Sequence, residues 1–336
     1  MNLLEHPFWT MSNLDNMRLV RVFDLPPEVN PFAEDGVILR IAAAPGEVPY
    51  HKWPMAREGI LDGIKKGLIN QETIVVEASS GNTGHAMASI CNSLGLDFAV
   101  VIPIDIPGAK IDVIRALGHG VSFAMPNRGE TGAACARRLG AQEGWHNPDQ
   151  YAGEWNPRSH ETHLAPQLFG QTPISIFVAP GGTMGTCIGI ARYARVHALS
   201  TKVVPVVCAE GEEVPAVRTL ARVKKDIRQP WEQYLDEADI QSCTRREAFR
   251  LSFATWQLIP VQLGPSFGAA LAGALKFIRE HKTAGTLDQF RDSISGEIYT
   301  VVFGPDDYRP YTGLYLGERL YDASLGSNLL NFLDDL

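Results

Sequence analysis

The residues Glu77-Ala78-Ser79-Ser80-Gly81-Asn82-Thr83-Gly84, here called the Asn82 loop, lie where an apolar run at 73–77 gives way to a helical pattern at 83–94. The first N–H groups of a helix have no partner within it and mark the positive end of its dipole. Small polar residues at this place therefore suit a carboxylate or a phosphate. A single Ser or Asn would serve as a helix cap. Four small polar residues and two glycines in a row thus predict an anion-binding loop, with plain capping as the alternative.

Strand-like and helix-like patterns alternate on both sides of this loop. The predicted strands are 37–42, 73–77, 98–102, 120–124, 174–179, 203–209 and 298–303. The predicted helices are 55–68, 83–94, 109–117, 131–142, 186–196, 247–256 and 269–280. This alternation is typical of parallel sheets with crossover helices, so we expect an α/β fold of two doubly wound lobes with a cleft between them.

Two stretches interrupt the pattern. Residues 144–157 mix Trp, His, Asn, Pro and Gly with no period, which predicts an irregular crossing. Pro205 lies inside a strand-like run. It indicates either an edge strand or a strand that begins after the proline.

Composition narrows the classes of function. The 336 residues carry 30 basic and 38 acidic side chains, and the net charge of -8 disfavours nucleic-acid and membrane-surface binding. No apolar run reaches the roughly 20 residues that span a bilayer, and residues 1–17 lack a secretory pattern, so we expect a cytoplasmic protein. The five cysteines show neither pairing nor zinc spacing and are predicted to be small buried hydrophobes, without a metal site.

Three further stretches carry chemistry. Gly181-Gly182-Thr183-Met184-Gly185-Thr186, here called the glycine turn, follows a predicted strand and opens a helix, as either a phosphate-binding turn or an ordinary tight turn does. Gly264-Pro265-Ser266-Phe267-Gly268 opens a helix of small residues, for which close packing is the alternative explanation. Lys52 lies between His51 and Trp53. If its amine were partly buried its pKa would fall and imine chemistry would become possible, whereas most lysines are solvated.

Together these segments resemble the fold-type II pyridoxal-phosphate enzymes, in particular the cysteine synthase and cystathionine β-synthase branch. The likeness covers nearly the whole chain. It rests on stretches that follow the order of the family's motifs: 14–22 with I-G-N-T-P-L-V-R-L, Lys52 fifteen residues before Gly67, 79–83 with T-S-G-N-T, 102–118 with M-P-x-x-x-S-x-x-R-x-x-x-L-x-x-x-G-A, 150–160 with Q-F-x-N-P-x-N-P-x-x-H, 182–193 with G-T-G-G-T-x-x-G-V-A-R-Y, 264–268 with G-I-S-S-G, and 305–311 with P-D-S-G-x-R-Y.

The resemblance implies pyridoxal 5'-phosphate as the cofactor and β-replacement on an activated serine, O-acetyl- or O-phosphoserine, through an aminoacrylate. Lys52 would be catalytic, because it would hold the cofactor as an imine and act as the base for the Cα proton. Asn82 would bind the ring hydroxyl, and Ser266 would face the pyridine nitrogen. The phosphate would be bound by Gly182, Thr183, Met184, Gly185 and Thr186. The substrate carboxylate would be bound by Ser79, Ser80, Gly81, Thr83 and Gln150.

The resemblance also implies a tryptophan synthase β-like architecture with the active site in the cleft. Residues 1–45 and 160–336 would form the larger, cofactor-anchoring domain. Residues 46–159 would form a smaller, mobile domain that closes over the substrate. We expect a homodimer that acts on a small amino acid and a small nucleophile.

Departures from the family's motifs concern the second substrate. Residues 50–54 read Tyr-His-Lys-Trp-Pro where the family has S-x-K-D-R, and Met184 replaces a glycine. The segment from Arg218 to Arg222 stands where the family has a loop near the entrance for the second substrate. It either favours a partner that is acidic or larger than sulfide, or it is an ordinary solvated helix. The alternative functions are therefore a β-elimination lyase or dehydratase, and a catalytically lapsed binding subunit.

Overall fold

The computed structural model describes residues 2–11, 17–44, 50–79, 81–102, 121–307 and 309. Its strands are β1 (Arg21–Asp24), β2 (Val37–Ala43), β3 (Ile74–Ala78), β4 (Phe98–Val101), β5 (Val121–Ala124), β6 (Trp145–His146), β7 (Ile176–Pro180), β8 (Lys202–Cys208), β9 (Gln241–Cys243) and β10 (Ile298–Gly304). Its α-helices are α1 (Phe8–Met11), α2 (Trp53–Lys65), α3 (Asn82–Leu94), α4 (Gly132–Gly140), α5 (Trp155–Ser159), α6 (Ala165–Phe169), α7 (Gly185–Val196), α8 (Leu220–Asp226), α9 (Arg245–Ala254) and α10 (Pro265–Thr283). A π-helical turn, His160–Leu164, joins α5 to α6.

The larger sheet contains six strands in the order β1-β2-β10-β7-β8-β9. β1 runs antiparallel to β2, and all other neighbours are parallel. Parallel strands are covered on both faces, so they read as continuous apolar runs. In β10 only Tyr299 is less than fully buried.

The smaller sheet contains four parallel strands in the order β5-β4-β3-β6. The central strands β3 and β4 are almost wholly buried. The two sheets confirm the predicted α/β fold class and its two lobes. The helix predicted at 109–117 lies outside the described residues.

Two local expectations were incomplete, and a third, for Pro205, was wrong. The sequence patterns did not predict β1, a four-residue strand that lies at the edge of its sheet. The stretch predicted to be irregular contains β6 and the start of α5, and β6 pairs with only Ile74 and Val75. A two-residue strand is too short to leave a period in the sequence.

Pro205 was expected to lie in an edge strand or just before a strand, and both expectations were wrong. β8 begins before the proline and lies between β7 and β9, so it is not an edge strand. However, β9 pairs only with Val206, Val207 and Cys208. Pro205 therefore has no neighbour on that side, and its missing N–H breaks no ladder hydrogen bond.

The long helix α10 lies very close to its neighbours. A Cβ on Gly268 would come within 1.8 Å of the Ala248 carbonyl oxygen, and a Cβ on Gly273 would come within 2.3 Å of Val206 Cγ2. Only glycine, which has no Cβ, leaves room for these contacts. The small residues of this helix therefore have a packing role, which fixes Ser266 in its first turn.

The segments singled out in the sequence follow the carboxyl ends of parallel strands. The Asn82 loop follows β3, the glycine turn follows β7, and Pro305 and Asp306 follow β10. In open α/β sheets, ligands bind beyond these ends.

All five cysteines are buried and free, which confirms them as small core residues. Among the described residues, no helix is both long and apolar enough to cross a membrane. The same residues contain no group of three or more His, Cys, Asp and Glu side chains that could hold a metal ion.

Candidate active site

Lys52 ends a short 3-10 turn, Tyr50–Lys52, and stands at the N-terminus of α2. Pro54 in the first turn of α2 favours a helix start here, because the N–H that it lacks would have no helical partner. The Lys52 side chain is partly buried, and its Nζ lies 3.7 Å from Sδ of Met55. Burial lowers the pKa of Lys52 from 10.5 to about 8. Between about pH 8 and pH 10.5 the Lys52 amine is therefore mostly neutral, whereas an exposed lysine is still mostly protonated.

Burial favours the neutral forms of the ionisable groups that interact with Lys52. His51 and His160 are buried, and burial together with the neighbouring Lys52 charge lowers the pKa of each imidazole well below its usual range. Burial also raises the pKa of the Cys187 thiol to about 12. Within the described ranges, no carboxylate forms an ion pair with Lys52. An amine in such surroundings is suited to react as a neutral nucleophile.

In the Asn82 loop, the N-cap residue of α3 is Gly81, and the Ser79 hydroxyl binds backbone N–H groups at the start of this helix. Its Oγ accepts hydrogen bonds from the backbone N–H groups of Gly81 at 3.3 Å and Gly84 at 3.0 Å. Asn82 Nδ2 donates to the Pro305 carbonyl at 3.4 Å, which joins this loop to the end of β10. Thr83 is buried, and Ser80 lies outside the described residues. The Ser79 hydroxyl is thus used on the helix start, as in the capping alternative, and the binding roles of the loop stay predictions.

A buried polar layer supports the Asn82 loop. The Ala78 carbonyl accepts hydrogen bonds from Gln150 Nε2 at 2.7 Å and from Tyr151 Oη at 3.1 Å. Glu77 accepts the backbone N–H groups of Ala78 at 2.8 Å and Gln150 at 3.0 Å. Gln150, predicted to bind substrate, thus also holds the loop in place. The sequence signal for Glu77 is a charged residue at the end of an otherwise apolar strand.

Met184 shapes the glycine turn. It has a φ of 60° in the left-handed region, directly before α7. The family's glycine at this place matches that backbone conformation, which side chains rarely adopt. The Met184 side chain is buried, so its packing offsets the backbone strain.

The rest of the glycine turn is closely packed. A Cβ on Gly182 would lie 2.8 Å from the Ala216 carbonyl oxygen, and a Cβ on Gly185 would lie 2.1 Å from Asn156 Oδ1. Asn156 Nδ2 in turn donates to Thr183 Oγ1 at 3.0 Å. The turn presents its backbone at the start of α7, where an anion is stabilised.

Ser266 is fully buried in the first turn of α10, and its hydroxyl donates to the carboxylate of Asp306. Sequence reasoning assigned a role to Ser266 and none to Asp306. The only signal for Asp306 was its place in the segment that resembles P-D-S-G-x-R-Y.

Arg218 does not offer a free guanidinium to an acidic second substrate. It forms an ion pair with the buried Asp226 and lies over the ring of Tyr151, 4.5 Å from its centroid. Arg222 is exposed on α8. The solvated-helix reading therefore holds for Arg222 and is wrong for Arg218, whose environment depends on residues distant in the sequence.

The sequence matches the profile of the family described as pyridoxal-phosphate dependent enzyme over residues 52–287. The chain belongs to this family. Cysteine synthase B of Escherichia coli (strain K12) is 26% identical over 271 residues, which cover 76% of this chain and 84% of that protein. Cysteine synthase of Aquifex aeolicus (strain VF5) is 31% identical over 151 residues, 44% of this chain and 46% of that protein.

Solved structures show the same fold. O-ureido-L-serine synthase aligns with a TM-score of 0.71 at 21% identity, over 89% of this chain and 92% of that chain. An O-acetylserine dependent cystathionine beta-synthase from Helicobacter pylori aligns with a TM-score of 0.69 at 22% identity, over 89% and 96% of the two chains. These likenesses confirm a two-lobed fold of type II.

The residues of the site fit pyridoxal phosphate. Burial lowers the pKa of the Lys52 amine and so favours its neutral form. The neutral amine is the form that reacts with an aldehyde. The glycine turn supplies backbone N–H groups and two threonine hydroxyls at a helix start, which suit a phosphate. Pyridoxal 5'-phosphate is the cofactor of this family and of this chain.

Proposed function

We propose that the protein catalyses β-replacement on an activated serine, O-acetyl- or O-phosphoserine, with a small nucleophile. The observation that carries this proposal is the partly buried Lys52 amine with a lowered pKa and no carboxylate partner in the described ranges. The names of its relatives support the reaction class: cysteine synthases, O-ureido-L-serine synthase and an O-acetylserine dependent cystathionine beta-synthase.

Each side chain of the site has a role in this proposed reaction. When bound, the cofactor withdraws electrons from the Cα of the amino acid, which makes loss of the Cα proton and of the β-leaving group possible. Lys52 Nζ would hold the cofactor, and the Lys52 amine would accept the Cα proton. Asn82 would bind the ring hydroxyl, and Ser266 would lie at the ring nitrogen. The cofactor phosphate is bound by Gly182, Thr183, Met184, Gly185 and Thr186. The substrate carboxylate is bound by Ser79, Ser80, Gly81, Thr83 and Gln150.

Domain motion and assembly belong to the same proposal. Residues 46–159 would move against 1–45 and 160–336 to exclude water after the amino acid binds. The Asn82–Pro305 hydrogen bond, which joins segments of the two proposed domains, supports closure at this point. Sedimentation would test the homodimer, and cell fractionation would test the cytoplasmic location expected from the sequence.

A second candidate is a β-elimination lyase, in which water takes the place of the second substrate. It is favoured by the likeness to a hydrogen sulfide-producing enzyme from Fusobacterium nucleatum, with a TM-score of 0.71 at 21% identity. A catalytically lapsed binding subunit is the remaining alternative, because the surroundings of Lys52 differ from the family's motif.

Product analysis separates these functions. The protein is incubated with O-acetylserine or O-phosphoserine, with and without thiol and amine nucleophiles, and the products are identified by mass spectrometry. Replacement yields a new β-substituted alanine only when a nucleophile is present. A lyase yields pyruvate and ammonia regardless, and a binding subunit yields neither. Lys52→Ala is the control and should give no product in any arm.

A further inference from the structure

A cluster around Arg218 lies between the Asn82 loop and the glycine turn. The guanidinium of Arg218 forms an ion pair with the buried Asp226 and lies 4.5 Å from the ring centroid of Tyr151. Tyr151 stands where the motif Q-F-x-N-P has phenylalanine, so its hydroxyl is a departure from the family. This hydroxyl donates to the Ala78 carbonyl at 3.1 Å. The cluster therefore reaches the start of the Asn82 loop.

The backbone of Arg218 is held on the larger sheet. Its N–H donates to the Gly181 carbonyl at 3.0 Å, and its own carbonyl accepts the N–H of Cys208 at 2.8 Å. Cys208 ends β8, and Gly181 follows β7 and opens the glycine turn. A Cβ on Gly182 would lie 2.8 Å from the carbonyl oxygen of Ala216, two residues before Arg218. Arg218 thus belongs to a backbone segment that packs on the glycine turn.

Asp226 joins this cluster to the other proposed domain. One oxygen of its carboxylate accepts from Arg218, and the other accepts from the Thr131 hydroxyl at 3.2 Å. Its backbone carbonyl accepts from Nη2 of Arg137 at 3.0 Å. Thr131 and Arg137 belong to the smaller proposed domain, whereas the ion pair belongs to the larger one. The cluster therefore crosses the boundary between the two.

Tyr151 is suited to act as a permanent donor. Burial raises the pKa of its hydroxyl and outweighs the nearby Arg218 charge, which acts in the opposite direction, so the hydroxyl keeps its proton. The Ala78 carbonyl takes this donor together with Nε2 of Gln150 at 2.7 Å. With phenylalanine in place of Tyr151, the carbonyl would lose one of these two donors.

We propose that Arg218 acts through Tyr151 to hold the Asn82 loop in the conformation that binds the carboxylate of the amino-acid substrate. This inference rests on the proposed function, which assigns carboxylate binding to that loop. The guanidinium keeps the Tyr151 ring in place, and the hydroxyl fixes Ala78 directly before Ser79. A loop fixed in advance binds its ligand more tightly, because less ordering is needed on binding. Arg218 and Tyr151 are thus positioning residues.

The test uses the full-length protein loaded with pyridoxal 5'-phosphate and titrated with L-alanine or ethylamine. L-alanine has no β-leaving group, so it measures binding without replacement, and ethylamine is the same molecule without the carboxylate. The visible absorbance of the bound cofactor reports the binding of either amine. Tyr151→Phe keeps the ring and removes only the hydroxyl. It should weaken L-alanine binding about 2- to 10-fold, as the loss of one neutral hydrogen bond does, and leave the binding of ethylamine and of the cofactor unchanged.

Two further variants complete the test. Arg218→Lys keeps a cation for Asp226 and loses the planar guanidinium over the ring, so it should weaken L-alanine binding in the same direction. In the Tyr151→Phe protein it should add no further loss, because the hydroxyl through which it acts is gone. Tyr299→Phe is the matched control. It removes the hydroxyl of another tyrosine beneath an arginine, 4.9 Å from Arg40 at the start of β10, and should bind L-alanine as the wild type does.

An L-alanine affinity that is unchanged in Tyr151→Phe would overturn the inference. So would an equal loss for ethylamine, which indicates a general disturbance of the site, or fully additive losses in the double variant. If Tyr151→Phe does not fold, a loss in Arg218→Lys that is selective for L-alanine over ethylamine decides. A failure of the proposed function looks different, because the cofactor absorbance of the wild type would then not respond to L-alanine at all, and both proposals would fall.

Discussion

Glu77 and Gln150 are joined by a 3.0 Å hydrogen bond, in which the backbone N–H of Gln150 donates to Oε2 of Glu77. The other oxygen of the same carboxyl group accepts the N–H of Ala78. One fully buried acid therefore connects the start of the Asn82 loop to a segment 73 residues further along the chain. Burial dominates its electrostatics and raises the pKa of Glu77 to about 8, although the two N–H donors act in the opposite direction.

The first prediction concerns the pH dependence of stability. The unfolded chain releases the Glu77 proton near pH 4.5 and the folded protein only near pH 8, so the free energy of unfolding should fall as pH rises between these values. At about 1.4 kcal/mol for each pH unit, the loss is on the order of a few kcal/mol. Urea unfolding of wild type and Glu77→Gln at several pH values measures it.

Glu77→Gln should show a shallower decrease because its side chain does not titrate. The control is Glu72→Gln, which changes an exposed glutamate just before the same strand and should keep the wild-type slope. Equal slopes in Glu77→Gln and wild type would contradict the assigned pKa.

The second prediction concerns the ion pair of Arg218 and Asp226. Arg218→Met leaves Asp226, which is 2% exposed, without its cation. Breaking a buried pair in this way costs about 3–5 kcal/mol of unfolding free energy. Lys224→Met, on the helix α8 that carries Asp226, breaks an exposed pair with Glu237 and should cost less than about 1 kcal/mol. Similar losses in the two variants would show that Arg218 is not held as described.

The third prediction concerns the glycine turn. Gly185→Ala would place a methyl group 2.1 Å from Asn156 Oδ1 and displace the amide that bonds Thr183. We expect a loss of about 1–3 kcal/mol in stability and weaker binding of pyridoxal phosphate in an absorbance titration. The double variant with Asn156→Ala tests the cause, because it removes the clashing amide. It should lose little beyond Asn156→Ala alone, and fully additive losses would refute the clash.

The sequence predicts the main strands well because parallel strands are buried on both faces, and β3, β7 and β10 accordingly read as apolar runs. It predicts less about two of the edge strands: β6 has only two residues, and β1 is exposed at both ends, so that neither reads as a continuous apolar run. The sequence also does not show which hydrogen-bond partner a polar side chain has in the fold. Ser266 meets an aspartate 40 positions away, and the Gln150 side chain meets the Ala78 carbonyl 72 positions away. Such pairs depend on tertiary packing, which local patterns do not encode.

The fourth prediction concerns the reactivity of Lys52. Its neutral amine reacts with aldehydes, and the protonated form does not. Since burial lowers the Lys52 pKa to about 8, the rate of pyridoxal phosphate uptake by the cofactor-free protein should rise with pH to a plateau above pH 8. Stopped-flow absorbance measures this rate. A rate that keeps rising towards pH 10 would contradict the lowered pKa.

The most direct measurement of the central claim is chemical. The protein is loaded with pyridoxal 5'-phosphate, reduced with borohydride to fix the covalent link, digested, and mapped by mass spectrometry. We predict a single pyridoxyl group on the peptide that contains Lys52, and none at this peptide in Lys52→Arg. A group attached to another lysine, or no attached group in the wild type, would contradict the assignment of Lys52 as the residue that holds the cofactor.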